Sequence, residues 1–466
     1  MVARAGARVP RLDLMLLAGQ TRRLGLFALA SLGFAGAGAV RAQETGPPPP
    51  PAAAPAVTPV VTPAVTRPKL TLEEAVRRAV ARNETSRSAD KQVLAAEARV
   101  DRAEAFFYPE LTASTGYTYK LYDPSWTERN IPGGTGFRSD LTITATLFDG
   151  RGFPLLRQAK LARDAQKLET AQQKLIVAYD TASLFLAALS QDNVRKAAEA
   201  RVTLARASAE DARARAAAGL VSSNDVTRVE LELSAAERDH ATAAVELNRA
   251  RLRVAHIIDA EIAGELVVPE GLLGEALAQS ASDAKPIAAA GQNSKRLDIA
   301  ALDKRAEAAD AFAEEPNWRL APTAALAYGA YYGSLGVTLT WTLFDGGERY
   351  AERDERLALA AVAQLDADAA ARRAGTETRD AMLSLSASRS VLEQAERTAE
   401  IAHKNGEETG ELYRQGLATA FALADANAQL FDAEVSLARA RYSMALALID
   451  LRRAYGLDPF GREPAR

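Results

Sequence analysis

Apolar and polar positions along this chain follow two periods, and each period occurs twice. From Thr142 to Leu147, and again from Thr338 to Leu343, threonines alternate strictly with apolar residues. That is the period of a strand with two chemically different faces. Both runs end in the same corner, Leu147-Phe148-Asp149-Gly150 and Leu343-Phe344-Asp345-Gly346, with Gly346 offset from Gly150 by 196 positions. The corner is predicted to end each strand, because glycine tolerates the positive φ that a change of direction needs. Each run has a partner. Leu111 to Tyr122 alternates again, with Tyr117, Tyr119 and Tyr122, and an Asp-, Pro- and Gly-rich loop with Trp126 separates it from the strand Asp140–Phe148. In the second copy Thr323 to Tyr332, a tight Gly333-Ser334 turn and Leu335 to Phe344 make the same hairpin. Such strands have about the 9–11 residues that cross a bilayer at a tilt. Period alone then predicts that Leu141, Ile143, Ala145 and Leu147 face lipid and Thr142, Thr144 and Thr146 face a lumen. Val337, Leu339, Trp341 and Leu343 are set in the same way against Thr338, Thr340 and Thr342.

After each corner the period changes to that of long helices. Leu161, Leu168, Leu175, Ala182 and Leu189 recur every seven residues, up to a break at Gly219. Val229, Ala236, Ala243, Ala250 and Ile257 continue beyond it, and Leu423, Leu430, Leu437, Met444 and Leu451 keep the same step in the second copy. A line of alanines (Ala426, Ala433, Ala440, Ala447, Ala454) runs beside the last of these. Sustained heptads mean coiled-coil packing, and small residues permit close approach. Phe153 to Ala218 would be roughly 100 Å long as a helix, far more than a bilayer is thick. Such hairpins must project away from a membrane.

The remaining segments complete the plan. Residues 1–42 read as an export signal, with Arg22-Arg23 before the apolar run Leu24–Val40 and Met15 as an alternative start. Residues 43–69 form a Pro/Ala-rich extended linker. The first structural repeat covers 70–263: helices, with Thr71 as N-cap and Glu74 as its box partner, a β-hairpin at 111–148, and a helical hairpin at 152–260. Residues 264–286 read as irregular, apart from a short strand candidate at Leu266-Val267-Val268. The second repeat, 287–459, holds a helix, a β-hairpin at 323–344 and a helical hairpin at 347–456. Residues 460–466 are expected to be a mobile tail. The fold class is α+β: four transmembrane strands per protomer, with long antiparallel coiled-coil hairpins.

Composition narrows the function. The formal net charge is −3 and the isoelectric point about 5.9, which does not suggest a nucleic-acid partner. There are no cysteines, so disulfides, thiolate metal sites and a Cys nucleophile are excluded. His240, His256 and His403 are scattered, with no companion at ligand spacing. No nucleophile elbow, phosphate loop or cofactor signature occurs, so an enzyme and a bound cofactor are not expected. Four strands cannot close a barrel, and lipid does not tolerate an open edge, so several protomers must share one barrel. The rival reading is an exported periplasmic coiled-coil scaffold or adaptor, which explains the heptads but not the paired hairpins with their aromatic ends.

The doubled LFDG corner, the paired hairpins of both kinds, and the breaks Gly219-Leu220-Val221-Ser222-Ser223-Asn224-Asp225-Val226 and Tyr413-Arg414-Gln415-Gly416-Leu417 resemble the TolC-type outer-membrane efflux channel family. The resemblance covers about Leu70 to Pro459. It implies a homotrimer with a β-barrel in the outer membrane of a Gram-negative bacterium and an α-barrel crossing the periplasm. It also implies a periplasmic adaptor and an inner-membrane transporter as partners, in efflux or type I secretion. By resemblance, Gly219, Leu220, Val221 and Ser222 with Gly416 and Leu417 are adaptor-docking tips. Asn224, Asp225 and Tyr413 match the latch that holds the tips shut, and Asp425 matches an aperture carboxylate. Two positions depart: the basic latch residue is Ala418, and a second aperture acid is Ala422. The expected latch is therefore a Tyr413–Asp225 hydrogen bond without a cationic partner. Taken alone, Gly219 and Gly416 also read as helix C-caps, and Asp225 as a first-turn acid favoured by the helix dipole.

Overall fold

The computed structural model describes residues 69–118, 136–262, 264–267, 269–281, 296–330 and 333–464. The signal segment, the proline-rich linker, Tyr119, Tyr122, the loop with Trp126, Val268, Tyr331 and Tyr332 lie outside the described residues. The described residues belong to one unit that begins at Val65.

Four helices carry most of the length. α3 (Gly152–Ala217) and α4 (Ser223–Ile258) form one antiparallel hairpin, and α7 (Glu348–Arg414) and α8 (Ala420–Ala454) form the other. Their seams are made mainly of alanine. Ala198, Ala205 and Ala212 on α3 are buried at heptad spacing, as are Val229, Ala236, Ala243 and Ala250 on α4. On α7 the buried line is Ala360, Ala367, Ala374 and Ala381, then Leu385, Leu392 and Ala399. All five alanines of the α8 line are buried, whereas Leu430 and Leu437 are half-buried. The small residue therefore sits at the closest approach of the helices.

The main core lies partway along these helices. Leu175–Leu189 of α3, Val254 and Ile258 of α4, Leu385 and Leu392 of α7, and Met444, Leu448 and Leu451 of α8 meet there. α1 (Leu72–Arg82) and α5 (Glu270–Ala281) cover it. Thr71 caps α1 by accepting the Glu74 amide at 3.3 Å. On the sheet side of the core α2 (Glu84–Glu104) packs on α3, and α6 (Leu297–Ala313) packs on both α3 and α7. The matching tripeptides Ala96-Glu97-Ala98 and Ala306-Glu307-Ala308 fall on α2 and α6, with Ala96 and Ala306 both buried.

Three expectations are corrected. Residues 264–286 are not irregular throughout, because α5 forms there. Pro269 stands directly before it, and Leu272, Leu273 and Ala276 turn to the core. Gly271 and Gly274 lower helix propensity and conceal the element in the sequence. Leu266 makes a single parallel bridge with Leu70 rather than a strand. The tail from 460 is tied down as far as Arg462: the Arg462 amide donates to Asp458 Oδ1 at 2.7 Å, and buried Arg452 donates to the Pro459 carbonyl at 2.5 Å.

The strands form one antiparallel sheet in sequence order, β1 (Glu110–Thr118), β2 (Gly136–Phe148), β3 (Thr323–Gly329) and β4 (Ser334–Thr340). β2 begins earlier than Asp140, and β4 stops at Thr340, short of Phe344. The partner of Thr340 is Thr323, the first residue of β3. Pro322 precedes it and has no amide hydrogen to offer, so the ladder cannot extend. The Trp341 indole donates instead to the Leu320 carbonyl at 3.0 Å.

Candidate functional site

The register sorts the sheet into two faces. Leu111, Ile143, Tyr328 and Leu335 stand opposite one another across all four strands, and Ala145, Leu326 and Val337 form the next row. Between them lie Glu110, Thr144, Ala327 and Gly336, and on either side Thr112 with Thr142 and Thr146 with Ala325 and Thr338. One face is apolar and the other is polar or small. The apolar face is uncovered: Leu335, Val337 and Leu339 are each at least 65% exposed. At the β1–β2 end the rings of Tyr117 and Phe137 pack at a tilt, with centroids 5.6 Å apart. One position departs from strict alternation. A bulge between Thr146 and Phe148 sets Phe148, not Leu147, opposite Ala324 in the apolar row.

The two Asp-Gly corners share a sequence but not a mechanism. Asp345 accepts the amides of Gly347 at 3.1 Å and Arg349 at 3.3 Å, and Gly346 and Gly347 have φ of 73° and 93°. There glycine is needed for its left-handed backbone. Gly150 is not in that region, contrary to expectation. It is needed for space, since a Cβ there would come within 2.2 Å of the Trp318 ring. Asp149 is buried and accepts the amide and the guanidinium Nε of Arg151, each at 3.0 Å. Burial pushes its carboxyl up, but the Arg151 hydrogen bonds and charge outweigh this and hold it below the usual range.

A cluster of charges ties the turn before β3 to α7 and reaches the first corner. Glu315, on a single helical turn (Glu315–Trp318), is almost fully buried and accepts Arg356 at 2.8 Å and Arg319 at 3.1 Å. Arg319 also pairs with Glu352 at 2.5 Å, and Arg356 lies 3.7 Å from the Phe312 ring centroid. The charges of Glu315 and Arg319 both act on Arg151 at the first corner. No sequence pattern points to this cluster, whose charges are divided between the turn and α7 and whose ring, Phe312, comes from α6.

At the far ends of the hairpins both breaks are Schellman caps. Leu220 N–H donates to Arg215 O at 2.9 Å with Gly219 φ at 72°, and Leu417 N–H donates to Leu412 O at 2.8 Å with Gly416 φ at 77°. Ser222 and Asp225 then form a reciprocal capping box for α4, and Thr419 accepts the Ala422 amide at 3.2 Å to cap α8. Leu220 and Leu417 are 74% and 72% exposed, and Val221 is half-buried.

The expected Tyr413–Asp225 hydrogen bond is not made within the chain. Asp225 Oδ2 is turned back on its own helix and accepts the Ser222 hydroxyl at 2.8 Å, and the buried Tyr413 hydroxyl has no hydrogen-bond partner among the described residues. Asn224 is exposed in the first turn of α4. Tyr413 packs with Ala209, Ala212, Val229, Ala420 and Leu423. Burial raises its phenol above the usual value, helped by the charges of Asp211 and Asp225 and opposed by Arg215. Nor does Tyr413 lack a cation: Arg215 on α3 lies 5.0 Å from its ring centroid. Asp425 is exposed and accepts Gln429 at 2.7 Å. With Phe421, Gln429 and Asp432 it lies on one uncovered stripe of α8.

A sheet with one bare apolar face, joined through tight corners to helical hairpins far longer than a bilayer, defines a membrane-anchored duct protein. The comparisons with known proteins name the class more closely. The model of the outer membrane efflux protein family matches residues 75–258 and 323–457, and the chain belongs to that family. No curated protein matches the chain in sequence. Among solved structures, VceC of Vibrio cholerae is 17% identical with a TM-score of 0.67, over 83% of this chain and 96% of that one. CmeC of Campylobacter jejuni is 15% identical with a TM-score of 0.67, over 85% and 87%. MtrE of Neisseria gonorrhoeae, in its open state, is 18% identical with a TM-score of 0.63, over 85% and 91%. At these identities the structures show a shared fold. The chain is thus an outer-membrane channel that reaches into the periplasm, an exit duct of tripartite efflux and not an enzyme. Efflux channels of this kind are trimers that work with periplasmic adaptors and inner-membrane transporters.

Proposed function

We propose that three copies of this chain each contribute β1–β4 to one twelve-stranded barrel, and that α3, α4, α7 and α8 form a helical conduit beneath it. The observation that carries this reading is the bare apolar face of a sheet whose outer strands, β1 and β4, pair with no further strand among the described residues. In lipid every strand edge must be paired, and four strands are too few to close. The polar face, with Thr112, Thr142, Thr144 and Thr338, then lines the pore. Asp425 lies on an open stripe of α8, and copies of it around a common axis would repel one another and attract cations. Purified trimer in planar bilayers is expected to conduct and to be blocked by divalent cations, and Asp425→Ala is expected to relieve that block. An inert wild-type trimer would remove the channel reading, and an unchanged block would place the aperture elsewhere.

The tips are proposed as the docking surface for the adaptor. Each exposes a leucine beside a glycine cap, while the neighbouring backbone groups are already satisfied within the hairpin. Leu220→Asp and Leu417→Asp are expected to weaken cross-linking to the adaptor while trimers persist. Unchanged cross-linking of both would exclude these tips from the interface. The corners Asp149–Gly150 and Asp345–Gly346 are assigned the task of fixing each β-hairpin on its helices.

A further inference from the structure

We infer that Arg215 is the clasp that holds the tip of the second helical hairpin against the first. This rests on the channel reading above and concerns how the tips of that channel are positioned. Arg215 is in the last turn of α3. Its Nη1 donates to the Tyr413 carbonyl and its Nη2 to the Arg414 carbonyl, each at 3.0 Å. Its Nε faces Asp211 Oδ2 at 3.0 Å, which orients the fork, and its flat face lies over the Tyr413 ring. All three nitrogens are thus engaged.

The acceptors are specific to a helix end. Tyr413 and Arg414 carry two of the last carbonyls of α7, which bear the negative end of its dipole. The Tyr413 carbonyl already accepts the Gly416 amide of the cap at 3.0 Å, so the guanidinium adds a second, charge-assisted bond there, and it also takes the Arg414 carbonyl, which lies past the last turn's internal bonds. The apolar cluster between the tips is small, Ala209, Ala212 and Val229 of the first hairpin against Tyr413, Ala420 and Leu423 of the second, and Arg228 lies over the Phe421 ring beside it. Among the described residues, Arg215 makes the only hydrogen bonds that cross between the hairpins on the tip side of the core. Lysine could keep the charge but not the two-pronged geometry or the stacking on Tyr413. Arg215 is therefore a positioning residue: it acts on permeation through the placement of α7 and α8.

The test uses trimers of the full chain in planar bilayers, with hydrogen exchange followed in parallel at the amides of Gly416, Leu417 and Ala418. Loss of a single charge-assisted hydrogen bond shifts a two-state equilibrium by about tenfold or more. Arg215→Ala is therefore expected to raise resting open probability at least ~10-fold in assembled trimers, and to speed exchange at the three amides. Arg215→Lys should fall between it and wild type. A residue that only stabilised the fold would lower trimer yield and leave the gating of assembled trimers unchanged. Wild-type gating and wild-type exchange in Arg215→Ala overturn the clasp. Should Arg215→Ala fail to assemble, Arg215→Lys decides, and wild-type exchange at the three amides overturns the proposal. A wild-type trimer that never conducts counts against the channel reading, while the exchange data still decide the clasp.

Discussion

Ile143→Arg is expected to cost about 2–4 kcal/mol of barrel stability and to deplete trimers from the outer membrane, whereas Thr144→Arg should assemble nearly as wild type. The two residues are adjacent in β2, so strand propensity and length are the same for both. They differ in face. Ile143 stands in the one row that is apolar across all four strands, Leu111–Ile143–Tyr328–Leu335, while Thr144 stands between Glu110 and Ala327. Ile143 is also near the middle of β2, where a charge on the lipid side is farthest from water. Heat-resistant trimer in outer-membrane fractions, compared for the two variants, measures the difference. Equal amounts would mean that the apolar face is not turned to lipid.

Glu315→Ala should destabilise the junction between sheet and helices by about 3 kcal/mol, because removing one partner of a buried pair strands the other. Arg356, 11% exposed, would keep Glu352 as an acidic partner together with the Phe312 carbonyl at 3.0 Å, with Arg319 close by as a like charge. The remaining acid puts the effect at the low end of the range. Replacing Arg356 as well, in a Glu315→Leu/Arg356→Met pair, should recover much of the loss, since no charge is then left unpaired. Denaturant midpoints in detergent for the single and double variants check this. A single variant as stable as wild type would show that Glu352 alone neutralises both arginines.

Much of this architecture is written in periodicity. Threonine alternation marked the strands and their faces, and heptads marked the hairpins, because both patterns repeat over many residues. What escaped the sequence is set by single contacts between distant positions. Arg215 and Tyr413 are 198 positions apart, and no local pattern identifies a guanidinium that caps another helix. Gly150 and Gly346 look equivalent in their shared LFDG, yet one glycine makes room for Trp318 and the other permits a left-handed turn. Asp225 was legible as a first-turn acid, and the structure makes it the capping-box partner of Ser222 three residues away. The expectation of a bond to Tyr413, carried over by resemblance, ran against that nearer partner.

The continuity of α3 has a mechanical consequence. The helix is gripped at Leu175–Leu189 and runs unbroken from there to Ala217, an arm of roughly 40 Å at 1.5 Å per residue. A tilt of about 5° at the grip would sweep its free end through roughly 3–4 Å, more than the length of a hydrogen bond. The core can thus act as a fulcrum, turning motion too small to disturb its own packing into movement at the far end large enough to engage or release a side chain.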